Sequence, residues 1–153
     1  MRRVMAGLMV CLCLPVLAEA AGTPKPSPGA WKVVDLFEMT SGGRFTVTRT
    51  GRVRGIRVIP GTGASTGCGT DAVTVKGTFR LRRSRRGGFT SWIVGRSAPA
   101  TSDGVKTIAA TISRAGETAS GKVKLIFAYD NRRRASGEVS FAGCTLEFDA
   151  RRG

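Results

Sequence analysis

Apolar residues recur at every second position along most of this chain, and that period specifies half-buried β-strands. Val73, Val75, Phe79 and Leu81 share one register, with Gly77 between them, while Thr74, Lys76, Thr78, Arg80 and Arg82 take the other. Wound as a helix, the same residues would scatter their apolar side chains around the axis. Phe45 and Val47 alternate with Arg44, Thr46 and Thr48, and Thr50-Gly51 then turns the chain into Val53–Val58. Parity changes inside that segment: Val53 lies on one register, Ile56 and Val58 on the other. A β-bulge at or beside Gly55 reconciles the two. Trp31–Phe37 is a weaker strand, because Val33-Val34 breaks the alternation. Phe89–Val94 follows, then Ile108, Ala110 and Ile112, then a hairpin loop over Arg114–Ala119 around Gly116. Val123, Leu125, Phe127 and Tyr129 share a face opposite Lys122 and Lys124, and Asp130-Asn131-Arg132 reads as the next turn. Val139 and Phe141 lead through Ala142-Gly143 to Cys144, Leu146, Phe148 and Ala150.

About eight or nine short strands follow from this pattern, and no segment reads as a capped helix of ten residues. The expectation is an all-β fold, an antiparallel β-sandwich or small barrel. An outer-membrane barrel would need aromatic girdles, and only Trp31, Trp92 and Tyr129 could supply Trp or Tyr after residue 30.

The N-terminus follows a different logic. Arg2 and Arg3 precede an apolar run from Val4 to Leu17, and Ala18-Glu19-Ala20 offers a small-residue cleavage site. That is the three-part pattern of a secretory signal peptide. The run is short for a permanent span, which takes about 20 apolar residues. Residues 1–20 are therefore expected to be removed. The arginine doublet alone supports a twin-arginine route, so general secretion is expected. Residues 21–30 hold three prolines and two glycines and read as a disordered linker. Residues 31–153 form the single domain, with no transmembrane segment in the mature chain.

Cys11 and Cys13 lie in the signal segment, which leaves Cys68 and Cys144. In an oxidising compartment an isolated pair in a small domain is a disulfide. It would close a loop of 77 residues, stabilising the fold by about 4 to 5 kcal/mol on the chain-entropy model.

The chain contains no histidine, which removes Ser-His-Asp and Cys-His mechanisms and histidine-containing zinc sites. No metal or cofactor is expected. Glu147 and Asp149, two apart on a strand, lie about 7 Å apart on one face, not far from the spacing of an inverting glycosidase pair. Their parity puts them on the solvent side, where ion pairs with neighbouring Arg or Lys are the simpler reading. The glycines at 61, 63, 67 and 69 crowd the loop around Cys68, but no helix follows to make a phosphate site. They serve turns, in a loop long enough to form a binding edge.

Charge is the remaining strong feature. Without Arg2, Arg3 and Glu19 the chain keeps 23 basic and 9 acidic residues, a net of +14. Such a charge favours polyanions. Seventeen of those cations are Arg and six are Lys, a bias that a GC-rich genome also writes by default. Two runs stand out, Arg80, Arg82, Arg83, Arg85 and Arg86, then Arg132, Arg133 and Arg134. Both are expected at strand ends or in turns. If they converge, they make an anion-binding end, since the planar guanidinium pairs with phosphate or carboxylate at two points. Base stacking would need exposed aromatics. Trp92 is the candidate, and its strand position favours the core, so specific nucleic-acid binding is not expected. The expected function is an exported, non-catalytic binding or structural domain that associates with anionic wall polymers or polysaccharides through Arg-rich loops. The alternatives are a small-molecule carrier with a β-barrel cavity and a carboxylate-dependent hydrolase. In a filled sandwich, Phe45, Phe79, Phe127 and Phe141 would occupy the interior that a carrier must keep empty.

From Gly43 to Arg151 the chain also resembles small secreted β domains of high-GC Gram-positive bacteria. The shared features are Phe45-Thr46-Val47, Gly51-Arg52-Val53, a first cysteine in a Gly/Thr loop and Val75-Lys76-Gly77-Thr78-Phe79. They continue through Ala135-Ser136-Gly137-Glu138-Val139 and Gly143-Cys144 to Phe148-Asp149-Ala150-Arg151. The resemblance implies a sandwich or barrel with one disulfide and brings no activity with it. Phe148 stands where those domains usually carry Trp.

Overall fold

The computed structural model describes residues 24–35, 37–86, 89–97, 104–128 and 133–153. The segment read as a signal peptide, the turn expected at Asp130-Asn131-Arg132 and Tyr129 lie outside them. Twelve strands run in chain order. They are β1 (Gly29–Val34), β2 (Thr40–Val47), β3 (Arg52–Pro60), β4 (Val73–Arg80), β5 (Arg82–Arg86) and β6 (Phe89–Val94). Then come β7 (Arg96–Ser97), β8 (Val105–Lys106), β9 (Ile108–Arg114), β10 (Glu117–Phe127), β11 (Arg134–Phe141) and β12 (Cys144–Arg152). The helical content of the described residues is one 3-10 turn, Thr66–Cys68. No helix among them is long and apolar enough to cross a membrane.

Eight strands close on themselves in the order β1-β2-β3-β4-β9-β10-β11-β12, and every neighbouring pair is antiparallel. Of the two forms the alternation allows, the chain adopts the barrel. Closure removes the edges an open sheet would present. The remaining strands form an excursion between β4 and β9. β10 pairs with β9 only as far as Val123↔Ile108, and β6 then takes that side of β10 through Leu125↔Val94 to Phe127↔Trp92. β5 pairs along β6 from Arg82↔Ile93 to Arg86↔Phe89, which carries the hairpin past the barrel wall.

The inward register is the apolar one read from the sequence. Trp31, Phe45, Phe127 and Phe148 are all at most 2% exposed. Trp31 stacks on Phe45 at 5.7 Å between centroids and meets Phe127 edge-on at 5.0 Å. Leu125, Leu146, Ile56 and Ile112 pack around them. Eight-stranded barrels are narrow enough for side chains to fill, and these aromatics do so. Phe141 is buried as well, whereas Phe79 is half-buried against the core. Opposite Phe148, Gly137 has no side chain, and a Cβ there would run into the Phe148 ring.

The parity change in β3 is the expected bulge. The β3–β4 register shifts between Arg54 and Ile56, with Gly55 at φ 64°. Four features differ from the sequence reading. The strand expected over Trp31–Phe37 stops at Val34, and Phe37 is 89% exposed. β1 begins at Gly29, inside the stretch read as linker, because Arg152 donates to the carbonyls of Pro28 and Ala30 at 3.1 Å. The hairpin loop around Gly116 is only two residues, Ala115 and Gly116, since Glu117 already pairs with Arg114. The run Arg82–Arg86 is a strand rather than a turn, held by β6 despite having no apolar alternation of its own.

Cys68 and Cys144 are disulfide-bonded, with Cα atoms 4.8 Å apart. The bond ties the 61–72 loop to the β11–β12 turn. Arg114 fastens the same loop, donating to the carbonyls of Gly67 and Cys68 at 3.0 and 2.8 Å while its guanidinium lies over Phe141.

Candidate functional site

The strand order gives the barrel two ends of different character. The β1–β2, β9–β10 and β11–β12 turns, the 61–72 loop and the disulfide share one end. The other collects the β2–β3 turn, the end of β4, the end of β10, the start of β11 and the end of β12. The described residues of both arginine runs fall at this second end.

Register fixes how close they come. Arg83 pairs with Trp92, Trp92 with Phe127, and Phe127 with Ala135, the neighbour of Arg134. Three strand spacings of about 4.8 Å therefore separate the two runs. Arg80, Arg82, Arg83, Arg85, Arg133 and Arg134 are exposed. The Arg86 backbone belongs to β5, and Arg132 lies outside the described residues. Arg83 lies over the Trp92 ring at 5.2 Å and Lys25 over the same ring at 5.7 Å, so the indole works as a buried platform for cations rather than for bases.

The sequence reading missed other members of this end. Arg49 sits in the β2–β3 turn, Arg52 faces Arg80 across β3–β4, and Arg151 faces Arg134 across β11–β12. Like charges placed directly opposite are destabilising. A signal was available: Arg52, Arg54 and Arg57 are outward positions of β3 once the bulge is counted, so their parity could have been read. Their partners could not, because alternation carries no register. Arg152 also lies here, but its guanidinium is committed to the carbonyls of Pro28, Ala30 and Gly153.

Most of the described carboxylates stand elsewhere, and Asp149 is the one that comes up to this end, beside Arg134 and Arg151. Asp35, Glu38, Asp71 and Glu117 belong to the disulfide end, and Glu138, Glu147 and Asp149 lie along β11 and β12. Glu147 and Asp149 occupy the outward register as expected. The expected ion pairs do not form there: among the described residues the salt bridge is Lys124–Glu138 at 2.9 Å. Glu147 instead faces Glu138 across the ladder. Neither carboxylate lies in an enclosed site.

Three depressions lined by described residues lie along β10–β12. One, of about 210 Å³, is bordered by Arg134, Arg151 and Asp149 over a floor of Ile126, Ala135 and Ala150. The glycine-rich loop packs on the β1–β2 turn, with Gly61 donating to the Met39 carbonyl at 3.0 Å and Gly63 to that of Glu38 at 2.9 Å. No family model, curated protein or solved structure matches this chain.

Proposed function

We propose that this protein is an exported, non-catalytic binding domain that associates with anionic cell-envelope polymers through the arginine end of its barrel. The observation that carries the reading is that the described residues of two arginine runs, distant in sequence, lie within three strand spacings of each other at one end of a closed barrel. Of the described carboxylates, Asp149 comes closest to that end and the others lie away from it, so cations predominate there, and such a field gathers counter-charged ligands. Arginine offers a paired-donor fork to phosphate or carboxylate. Export rests on the N-terminal pattern, and the disulfide is compatible with an oxidising compartment.

The aromatic filling of the barrel supports this reading over a small-molecule carrier, since Trp31, Phe45 and Phe127 occupy the centre that a ligand would need. The test is co-sedimentation with isolated cell walls across a salt series. Binding should be strong at low salt, fall as salt rises, and weaken in an Arg80→Gln, Arg82→Gln, Arg85→Gln variant. Absence of sedimentation at low salt would end the proposal.

A further inference from the structure

Starting from the arginine end, five cations stand in register across five neighbouring strands. Arg134 on β11 faces Arg151 on β12, which faces Lys32 on β1. Lys32 faces Arg44 on β2, and Arg44 faces Arg57 on β3. All five are exposed, and among the described residues none of them forms an ion pair or a side-chain hydrogen bond. Directly opposed residues have Cβ atoms about 4.5–5.5 Å apart, and like charges at that distance repel. The free protein therefore bears a cost that an anion laid along the row would relieve.

Base composition puts arginine on outward positions but does not align it. One outward step along β11 and β12 the opposed pair is Ser136 and Asp149, and the next is Glu138 and Glu147. The row is thus a line with an acidic flank rather than a general cationic coat. It begins at the 210 Å³ depression that Arg134 and Arg151 border.

The shape of the row selects its occupant. Four strand spacings make a line of about 19 Å, and five of the eight barrel strands carry it. It therefore curves around half of the wall. A stiff duplex or a flat bilayer touches part of such a line, whereas a flexible chain can follow all of it. None of its members is aromatic, so bases gain no stacking there.

We propose that this row is the track for a flexible linear polyanion bearing one carboxylate or phosphate per repeat, wrapped across β11, β12, β1, β2 and β3. The proposal rests on the polyanion-binding reading above and names the surface that executes it. Two charge-matched variants separate the two ideas. Lys32→Gln, Arg44→Gln, Arg57→Gln removes three charges from the row, and Lys76→Gln, Lys106→Gln, Lys122→Gln removes three exposed charges from outside both the row and the arginine end. Affinity of the purified protein is measured for polygalacturonate, inorganic polyphosphate and duplex DNA over a salt series. The row variant should lose tenfold or more in affinity for a flexible polymer relative to the matched variant. Its plot of log affinity against log salt should flatten by about 2, at roughly 0.7 per lost contact. Its thermal midpoint should not fall, because like-charge repulsion has been relieved. Preference between the first two polymers assigns carboxylate or phosphate. Equal losses in both variants, or tighter binding to the duplex, would overturn the track while leaving polyanion binding in place. A wild-type protein that binds none of the three at low salt would overturn both.

Discussion

Ala115 and Ala142 sit in left-handed backbone, at φ 49° and 44°, each followed by a glycine at φ 82° or 77°. Both are first residues of two-residue hairpin turns, where Asn-Gly is the favoured pair. The left-handed region costs an ordinary side chain about 1–2 kcal/mol, and Asn tolerates it. Ala115→Asn should therefore stabilise the protein by about 1 kcal/mol, read as a rise in the denaturant midpoint with an unchanged slope. Gly55→Ala should destabilise by at least about 1 kcal/mol, because the bulge holds this residue at positive φ. The bulge was legible, since a parity change within a strand has few other causes. The turn length at Ala115 was not. The sequence marks a glycine, but Ala-Gly lacks the asparagine that would have named a two-residue turn.

At the scale of elements, the inward faces were legible and the pairing was not. Period-two alternation identifies which side of a strand is buried, and that succeeded along β10, β11 and β12, whereas Phe37 is exposed and consecutive residues of β6 are buried. β5 has no large apolar residues, only arginine around Ser84, and it is a strand because β6 supplies its hydrogen bonds. It is paired on one side, and charged side chains on such an edge prevent pairing with other molecules. Replacing Arg82 and Arg85 with Thr should raise light scattering on concentration, an outcome that a solvated loop would not show. The disulfide joins two elements that alternation cannot connect. The double change Cys68→Ser, Cys144→Ser should cost about 4 kcal/mol in chemical unfolding, near the chain-entropy value for so long a loop.

For the whole molecule, barrel and sandwich share one alternation, and only register distinguishes them. β12 pairs with β1 from Trp31↔Arg152 to Val34↔Asp149, and this contact between the chain's two ends closes the ring. The charge was legible as a total, but its placement was not. The two runs and the wall row become a surface only after the strands are ordered. Histidine is the side chain whose ordinary range falls between pH 5 and 8, and the chain has none. Binding to a strong polyanion should therefore hold level from about pH 6 to 8 and respond to salt.

The most direct measurement is an amide chemical-shift map of the labelled protein titrated with an anionic wall polymer fragment at low and high salt. The account predicts salt-sensitive shifts concentrated at the arginine end, in Arg80–Arg85 and Arg134, and along the outward positions of β1, β2 and β3. Shifts confined to the disulfide end or to residues inside the barrel, or a spectrum that the polymer leaves unchanged at low salt, would contradict it.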